Sequence, residues 1–102
     1  MNELITKVKE WGKERGLLQS ETKNPFKQLS KLVEEVGEMA STMNKNQLDK
    51  FDKEAGDVFV TLIILCYQLD KDPIECLRLA HEKNDNRTGR TIEGTFIKKE
   101  DL

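Results

Sequence analysis

The sequence is poor in the residues that bind soft metal ions. Its 102 residues include two cysteines and one histidine, and Cys66 and Cys76 do not have the spacing of zinc ligands. Cys66 lies inside an apolar run, so we expect it to act as a small hydrophobic residue in a reducing cytoplasm. His81 stands alone, and we expect it to be a surface or packing residue. These scarcities give no basis for a thiolate or imidazole metal site.

Long apolar segments and an excess of basic charge are also missing. No run reaches the roughly 18–20 apolar residues of a membrane-spanning helix, and no signal peptide opens the chain. We therefore expect a cytoplasmic protein without a membrane partner. The 17 basic and 19 acidic residues give a net charge of −2, whereas sequence-independent binding of nucleic acid needs a basic surface. We expect no nucleic-acid partner.

The apolar residues that are present follow a helical period along most of the chain. We predict a single all-α domain over residues 1–102 with four main helices. Their predicted ranges are 3–15, 25–43, 47–69 and 73–86. Asn24-Pro25 and Asp72-Pro73 each place a capping side chain before a proline at the first helical position. We predict that the tail, residues 88–102, is mostly irregular with a short β-like stretch at 95–97.

The predicted third helix is apolar on all sides over residues 58–67. A helix that is hydrophobic on every side must be buried on every side, and three neighbouring helices of so short a chain would not cover it. We therefore expect a homo-oligomer, at least a dimer, with Ile63 or Ile64 in the subunit interface.

Two acidic clusters lie on the second and third predicted helices. Each contains two carboxylates three residues apart, Glu35 with Glu38 and Glu54 with Asp57. Residues at i and i+3 share a helix face with Cβ atoms ~5–6 Å apart, and like charges that close are destabilising unless a positive charge lies between them. Carboxylates without histidine or thiolate favour Mg²⁺ or Mn²⁺, which commonly handle substrate phosphates. The alternative is an ordinary solvated acidic surface.

The two acidic pairs are expected to have different surroundings. Glu35 lies at the flank of the second helix's apolar stripe and Glu38 further round, so this pair is expected to face out of the subunit's own core. Glu54 intrudes on the apolar stripe of the third helix, where an unpaired carboxylate is costly. Gly37 and Gly56 lie inside the clusters and cost about 1 kcal/mol each against alanine, which indicates close helix approach.

A basic cluster follows at the end of the fourth predicted helix. Lys83 and Arg87 are four residues apart and share a face, with Asn84 between them. Such cations either complement the helix dipole or form a clamp for phosphate charge that a metal does not neutralise. Trp11 also has two interpretations, as a core residue of the first helix or as a surface on which a nucleobase stacks.

In combination, these motifs resemble the MazG-like all-α nucleoside triphosphate pyrophosphohydrolases. The resembling segments are Lys31-Leu32-Val33-Glu34-Glu35-Val36-Gly37-Glu38, Glu54-x-x-Asp57, Lys83-Asn84-x-x-Arg87, Trp11-x-x-x-Arg15-Gly16-Leu17 and residues 89–96. The resemblance implies an intertwined homo-oligomer, a dimer or a tetramer, whose helical bundles include helices from more than one subunit. It implies Mg²⁺-dependent hydrolysis of an NTP or dNTP, modified nucleotides included, to the monophosphate and pyrophosphate, as in nucleotide-pool housekeeping, with Mn²⁺ able to replace Mg²⁺.

The resemblance also implies a role for each matching residue. The implied metal ligands are Glu35, Glu38, Glu54 and Asp57. The implied catalytic carboxylates are Glu34, Glu35 and Glu38, where Glu34 positions either water or a second ion. The implied phosphate-binding residues are Lys83, Asn84 and Arg87. Trp11 is the candidate contact to the base.

Three other interpretations compete with this one. A phosphoribosyl-ATP pyrophosphohydrolase has the same acidic helices, but the tail at 89–101 and Trp11 favour the MazG-like group. A non-catalytic helical oligomer that acts as a binding module is a second alternative, and the presence of all four ligand positions argues against it. A di-iron carboxylate bundle uses Glu-x-x-His pairs, and neither acidic pair here contains histidine.

Overall fold

The computed structural model describes residues 2–86 and 89–101. Its helices are α1 (Asn2–Glu14), α2 (Pro25–Asn44), α3 (Phe51–Gln68) and α4 (Pro73–Asp85), and its strands are β1 (Gly89–Ile92) and β2 (Thr95–Lys98). Single 3₁₀ turns span Leu48–Lys50 and Lys99–Asp101. The predicted all-α class is confirmed, because the two strands pair only with each other in the described part of the chain. None of the helices described is both long enough and apolar enough to cross a membrane.

The starts of α2 and α4 are fixed by side-chain caps, as predicted. The Asn24 side chain accepts a hydrogen bond from the Lys27 amide at 3.1 Å, and Asp72 accepts one from the Ile74 amide at 2.9 Å. Each satisfies a backbone donor that has no partner within the helix. The third helix begins at Phe51 rather than at residue 47, because the segment Leu48–Lys50 forms a 3₁₀ turn that continues into it.

Helices α2 and α3 pack against each other in antiparallel directions. Near the start of α2, the Gln28 side chain donates a hydrogen bond to the Thr61 carbonyl in the second half of α3, at 3.1 Å. In the second half of α2, Glu38 is within hydrogen-bonding reach of Glu54 in the first turn of α3. This arrangement brings the two acidic clusters to the same end of the helix pair.

Helix α1 lies against α3 at a glycine. A Cβ added to Gly12 would come within 2.5 Å of the Ile64 side chain. Ile64 is fully buried within the subunit, where α1 covers it, so of the two residues expected in a subunit interface Ile64 does not lie there. Ile63 is half-buried, and its place in an interface stays a prediction. The close approach expected at Gly37 and Gly56 is also wrong within the subunit, because an added Cβ would meet no described atom within 4 Å at either position.

Helix α4 and the strands β1 and β2 contribute no buried residue. Strands β1 and β2 form a hairpin whose turn residues, Glu93 and Gly94, have φ angles of 50° and 80°, as a tight two-residue turn requires. The predicted strand at 95–97 is confirmed, and its partner β1 was not predicted. Arg87, Thr88 and Leu102 lie outside the described residues.

Candidate metal centre

Three carboxylates from α2 and α3 converge at one end of the helix pair. Glu35, Glu38 and Glu54 each offer an oxygen, and these oxygens all lie within 4.8 Å of one another. The i, i+3 spacing of Glu35 and Glu38 places both on neighbouring parts of one helix surface, and the antiparallel packing brings the first turn of α3 opposite them. Glu54 is the predicted intruder on the apolar face of α3, and it is half-buried.

Glu35 is buried, with 6% of its surface exposed. The expectation that its pair faces away from the subunit core is therefore wrong for Glu35, although Glu38 is exposed. The reason is the face that α2 presents to α3. Gln28 and Met39, both half-buried, lie within about 40° of Glu35 around the helix, so Glu35 is at the middle of the packed face. Much of the apolar stripe of α2, which was expected to be the packed face of that helix, is exposed instead.

Two carboxylate oxygens at this point are buried without a hydrogen-bond partner among the described residues, Oε2 of Glu35 and Oε2 of Glu54. A desolvated carboxylate oxygen without a partner is costly, and such atoms in a folded protein call for an explanation. A divalent cation held between the three carboxylates would provide it. The donor set is all oxygen, which suits Mg²⁺ or Mn²⁺, so the residues present fit the metal that the sequence predicts.

The electrostatics of the cluster show that its negative charge is incompletely balanced. The negative charge of Glu35 raises the pKa of Glu38, and burial and then Glu54 raise it further. Lys31 opposes this shift only weakly. A hydrogen bond to Glu35 and then the charge of that carboxylate raise the pKa of Lys31 itself, and Glu34 and Glu38 contribute to the same shift.

Lys31 is a charged neighbour of the carboxylate cluster that was assigned no role from the sequence. Its Nζ lies 3.1 Å from Oε1 of Glu35. Within the described residues, this is the ion pair that the carboxylate cluster makes. The signal was present in the spacing, because a lysine four residues before a glutamate lies on the same helix face. The sequence motif drew attention to the acids, and the adjacent base remained part of the resemblance without a role.

Asp57 is outside the group of three. It is half-buried and lines an open groove of about 380 Å³ between α1 and α3, together with Lys7, Val8, Trp11 and Val60. The structure therefore places Asp57 one helical turn beyond Glu54 on the side that faces α1. Its assignment as the fourth metal ligand stays a prediction.

Trp11 lies between two grooves and is 40% exposed. It borders the groove that contains Asp57 and a second cavity of about 290 Å³ that extends to Lys31 and Thr61. The guanidinium of Arg15 lies 4.7 Å from the centre of the Trp11 ring, a cation–π distance. Trp11 is thus at the rim of the core and shares a groove with Asp57, and its contact to a base stays a prediction.

Of the predicted phosphate-binding residues, the two that the structure describes make no contact with this centre within the subunit. Lys83 and Asn84 are exposed near the end of α4, and in the described part of the chain neither side chain makes a hydrogen bond or ion pair with the carboxylates. Arg87 lies outside the described residues. Glu34 is exposed on α2 and close enough to Lys31 to raise its pKa.

Comparison with known proteins decides the family. The model of the MazG nucleotide pyrophosphohydrolase domain matches residues 24–89, which include both acidic pairs and the basic cluster. The chain belongs to the MazG nucleotide pyrophosphohydrolase domain family. The resemblance inferred from the motifs is thereby confirmed, and nucleotide pyrophosphohydrolysis is the activity that characterises this family.

One curated relative is similar over most of the chain. It is described as an uncharacterized 18.2 kDa protein in the rep-hol intergenic region of Haemophilus phage HP1 (strain HP1c1). The two sequences are 36% identical over 74 residues, which cover 72% of this chain and 44% of the relative. This MazG-family chain thus spans less than half the length of that relative. No solved structure matches the chain.

Proposed function

We propose that this chain hydrolyses a nucleoside triphosphate, an NTP or dNTP, to the nucleoside monophosphate and pyrophosphate with the help of Mg²⁺. The observation that carries the proposal is the convergence of Glu35, Glu38 and Glu54, with carboxylate oxygens within 4.8 Å and two buried oxygens that lack a partner in the described residues. Membership of the MazG family supports the reaction class.

We propose that Glu35, Glu38 and Glu54 hold the cation and that Asp57 is a further ligand. When bound, Mg²⁺ or Mn²⁺ supplies charge neutralisation for the phosphates and lowers the pKa of water. Glu54 and Asp57 are three residues apart on α3, so both can approach the same end of the α2–α3 pair. Three carboxylates already in place explain why the site would select a hard cation over zinc.

The reaction needs a group that accepts the proton of the attacking water. Water attacks the α-phosphorus. The bond from that phosphorus to the oxygen that bridges the α- and β-phosphates breaks, and pyrophosphate leaves. Glu34 is suited to accept the proton, because it is exposed, it is not one of the three clustered carboxylates, and it lies one turn before Glu38 on the same side of α2. A carboxylate that the cation does not use remains free to act as a base.

Positive side chains are proposed to bind the phosphates. Lys31 is next to the carboxylates, and its side chain is 55% exposed, so its ammonium can reach a phosphate at the open side of the cluster. Lys83 and Arg87 are proposed to act in the same way, and Asn84 to donate amide hydrogen bonds to phosphate oxygens, all three from a second subunit. Trp11 is proposed to stack on the base at the edge of the neighbouring groove.

An exposed apolar stripe on α2 supports assembly with a second copy of the chain. The stripe has the alternating three- and four-residue spacing of a coiled-coil seam. Its members are Phe26, Leu29, Val33, Val36, Ala40 and Met43. Phe26 is 84% exposed and Val33 65% exposed, and soluble monomers rarely leave a continuous apolar surface of this kind in water. We propose a homo-oligomer in which this stripe is covered.

The test is a panel of unmodified and modified NTPs and dNTPs, with phosphoribosyl-ATP included, incubated with the full chain and Mg²⁺. Pyrophosphate and orthophosphate are measured separately. We expect pyrophosphate with Mg²⁺ or Mn²⁺ and loss of product with Glu54→Gln, whereas Glu21→Gln, which alters an exposed loop carboxylate, keeps full activity. Orthophosphate as the sole product, or undiminished activity in excess chelator, contradicts the proposal. Nucleotide binding without turnover identifies the binding-module alternative.

A further inference from the structure

Gln68, the last residue of α3, makes a buried hydrogen bond to the segment that follows α1. Only 3% of its surface is exposed, and its Nε2 donates to the Leu17 carbonyl at 3.0 Å. The other hydrogen bonds of residues 15–23 in the described part of the chain stay inside that segment or return to α1. The bond from Gln68 is therefore the hydrogen bond that joins this segment to α3.

Glutamine is a costly residue for this buried position. Its Oε1 has no hydrogen-bond partner among the described residues, and a buried amide oxygen without a partner destabilises a fold. Methionine or leucine would fill a similar volume without that cost. The N–H donor is what distinguishes glutamine from them, so the bond to the Leu17 carbonyl accounts for an amide at this position.

Leu17 forms part of the wall of a cavity between the first three helices. Its amide donates to the Gly12 carbonyl of α1 at 3.0 Å, and its carbonyl accepts the bond from Gln68. Its half-buried side chain lines the cavity of about 290 Å³ together with Trp11 and Lys31. The two backbone bonds of Leu17, one to α1 and one to α3, therefore fix this part of the wall.

The cavity adjoins the candidate metal centre through Lys31, whose Nζ lies 3.1 Å from Oε1 of Glu35. We propose that Gln68 is a positioning residue for the nucleotide, which it does not touch: its bond to the Leu17 carbonyl holds the cavity wall where the sugar and base of the substrate bind. The inference rests on the proposed function, because that function places the phosphates at the carboxylates. Removal of the bond should weaken substrate binding and leave the chemical step unchanged.

The test replaces the amide with an apolar side chain of similar length. Gln68→Met should fold, because the loss of the hydrogen bond is offset by the loss of the unpaired Oε1. Trp11 is the only tryptophan of the chain, so its fluorescence reports on the cavity. Without nucleotide and in excess chelator, acrylamide quenching of Trp11 should rise by roughly twofold in Gln68→Met, because the wall opens more often. With Mg²⁺ and a nucleoside triphosphate, KM should rise by roughly tenfold and kcat should stay unchanged.

A matched control is available in the same segment. Gln19 is an exposed glutamine whose Nε2 donates to the Lys13 carbonyl of α1 at 3.0 Å, so Gln19→Met removes the same kind of bond but leaves the link to α3 in place. It should change neither quenching nor KM. Leu17→Ala, which removes the wall and keeps Gln68, should reproduce the rise in KM. Combining it with Gln68→Met should then add little, since both changes act through one contact.

The outcomes separate a positioning role from a purely structural one. A lower melting temperature of Gln68→Met with unchanged quenching and unchanged KM overturns the proposal, and so does a fall in kcat at constant KM. Gln68→Leu takes the place of Gln68→Met in every measurement if the methionine variant does not fold. If the wild type hydrolyses no triphosphate, the proposed function fails, and the quenching of Trp11 still supports or overturns the hold of Gln68 on the cavity wall.

Discussion

The ammonium of Lys31 lies 3.1 Å from Oε1 of Glu35, one helical turn further along α2, and Oε2 of the same buried carboxylate has no partner in the described residues. Lys31 therefore neutralises one side of a cluster that contains three carboxylates. The remaining negative charge is what a divalent cation would compensate. Lys31 and such a cation would neutralise the same negative charge, so their contributions to stability should be coupled.

The first prediction concerns this coupling. Lys31→Gln should lower the melting temperature in the presence of chelator, because Glu35 is left buried without an ion-pair partner. Adding Mn²⁺ should raise the melting temperature more in Lys31→Gln than in the wild type. Lys27→Gln, which removes an exposed lysine one turn earlier, should change neither value. An equal effect of Mn²⁺ on the wild type and Lys31→Gln would show that Lys31 is independent of the metal centre.

The second prediction concerns Glu38. Its pKa is raised above the ordinary value of 4.5, mainly by Glu35, so the fold favours the protonated form. That contribution to stability is fully present below the ordinary pKa and is lost as the pH rises through the folded-state pKa. Without metal, Glu38→Gln should therefore match or exceed the wild-type melting temperature at neutral pH, and the difference should shrink in acid.

Glu38→Gln should lose pyrophosphate release although its stability is kept. The reason is that the substitution removes a proposed metal ligand. The measurements are thermal unfolding in chelator at several pH values and pyrophosphate release. If Glu38→Gln unfolds without metal at neutral pH, Glu38 is a structural ion-pair partner, and the site assignment fails. Glu21→Gln is the control, since it alters an exposed carboxylate in the loop before α2.

The sequence predicted the helices well because their signals are local. Asn24 and Asp72 cap helices within three residues of their own position, and the apolar period does not depend on the rest of the fold. The acidic spacing of Glu35 and Glu38 is likewise local, and the two carboxylates do lie close together. Strand β1 was missed because its residues show no alternation, and its pairing depends on the turn at Glu93 and Gly94.

The surroundings of each residue were predicted less well, because they depend on which side of a helix finds a partner. The apolar stripe of α2 was taken as its packed face, but α3 contacts the adjacent side, and Glu35 is buried there. Ile63 or Ile64 was expected in an interface, but α1 covers Ile64 at Gly12. A glycine marks a close approach only if a neighbour is present, which the sequence of one helix does not reveal.

The third prediction compares two acids of α3. Glu54→Gln removes a carboxylate that already lies within 4.8 Å of its partners, so Mg²⁺ affinity should fall strongly. Asp57→Asn alters a residue that lines the groove beside Trp11, and Mg²⁺ affinity should fall less, by roughly tenfold. Both variants should lose turnover. Calorimetric titration with Mg²⁺ distinguishes them, and a larger loss of affinity in Asp57→Asn would show that the cluster is centred elsewhere.

The fourth prediction concerns packing between α1 and α3. Gly12→Ala would place a Cβ 2.5 Å from the fully buried Ile64 side chain, and overpacking of this kind typically costs about 1–3 kcal/mol. Gly56→Ala meets no described neighbour within 4 Å, so its helix propensity should raise stability by up to about 1 kcal/mol. Chemical denaturation measures both changes. A neutral Gly12→Ala would mean that α1 can move away from α3.

The last prediction concerns assembly. Val33 lies at the middle of the exposed stripe of α2 and is 65% exposed, so Val33→Asp should leave the subunit core intact but place a charge in the proposed interface. The oligomer should dissociate, and pyrophosphate release should fall with it, since the phosphate-binding residues of α4 are proposed to act across the interface. Lys27→Glu, on the far side of α2, should change neither. Light scattering at micromolar concentration measures the mass. A folded wild-type monomer with full activity would refute the assembly, and it would require Lys83 and Asn84 to reach the carboxylates within one subunit.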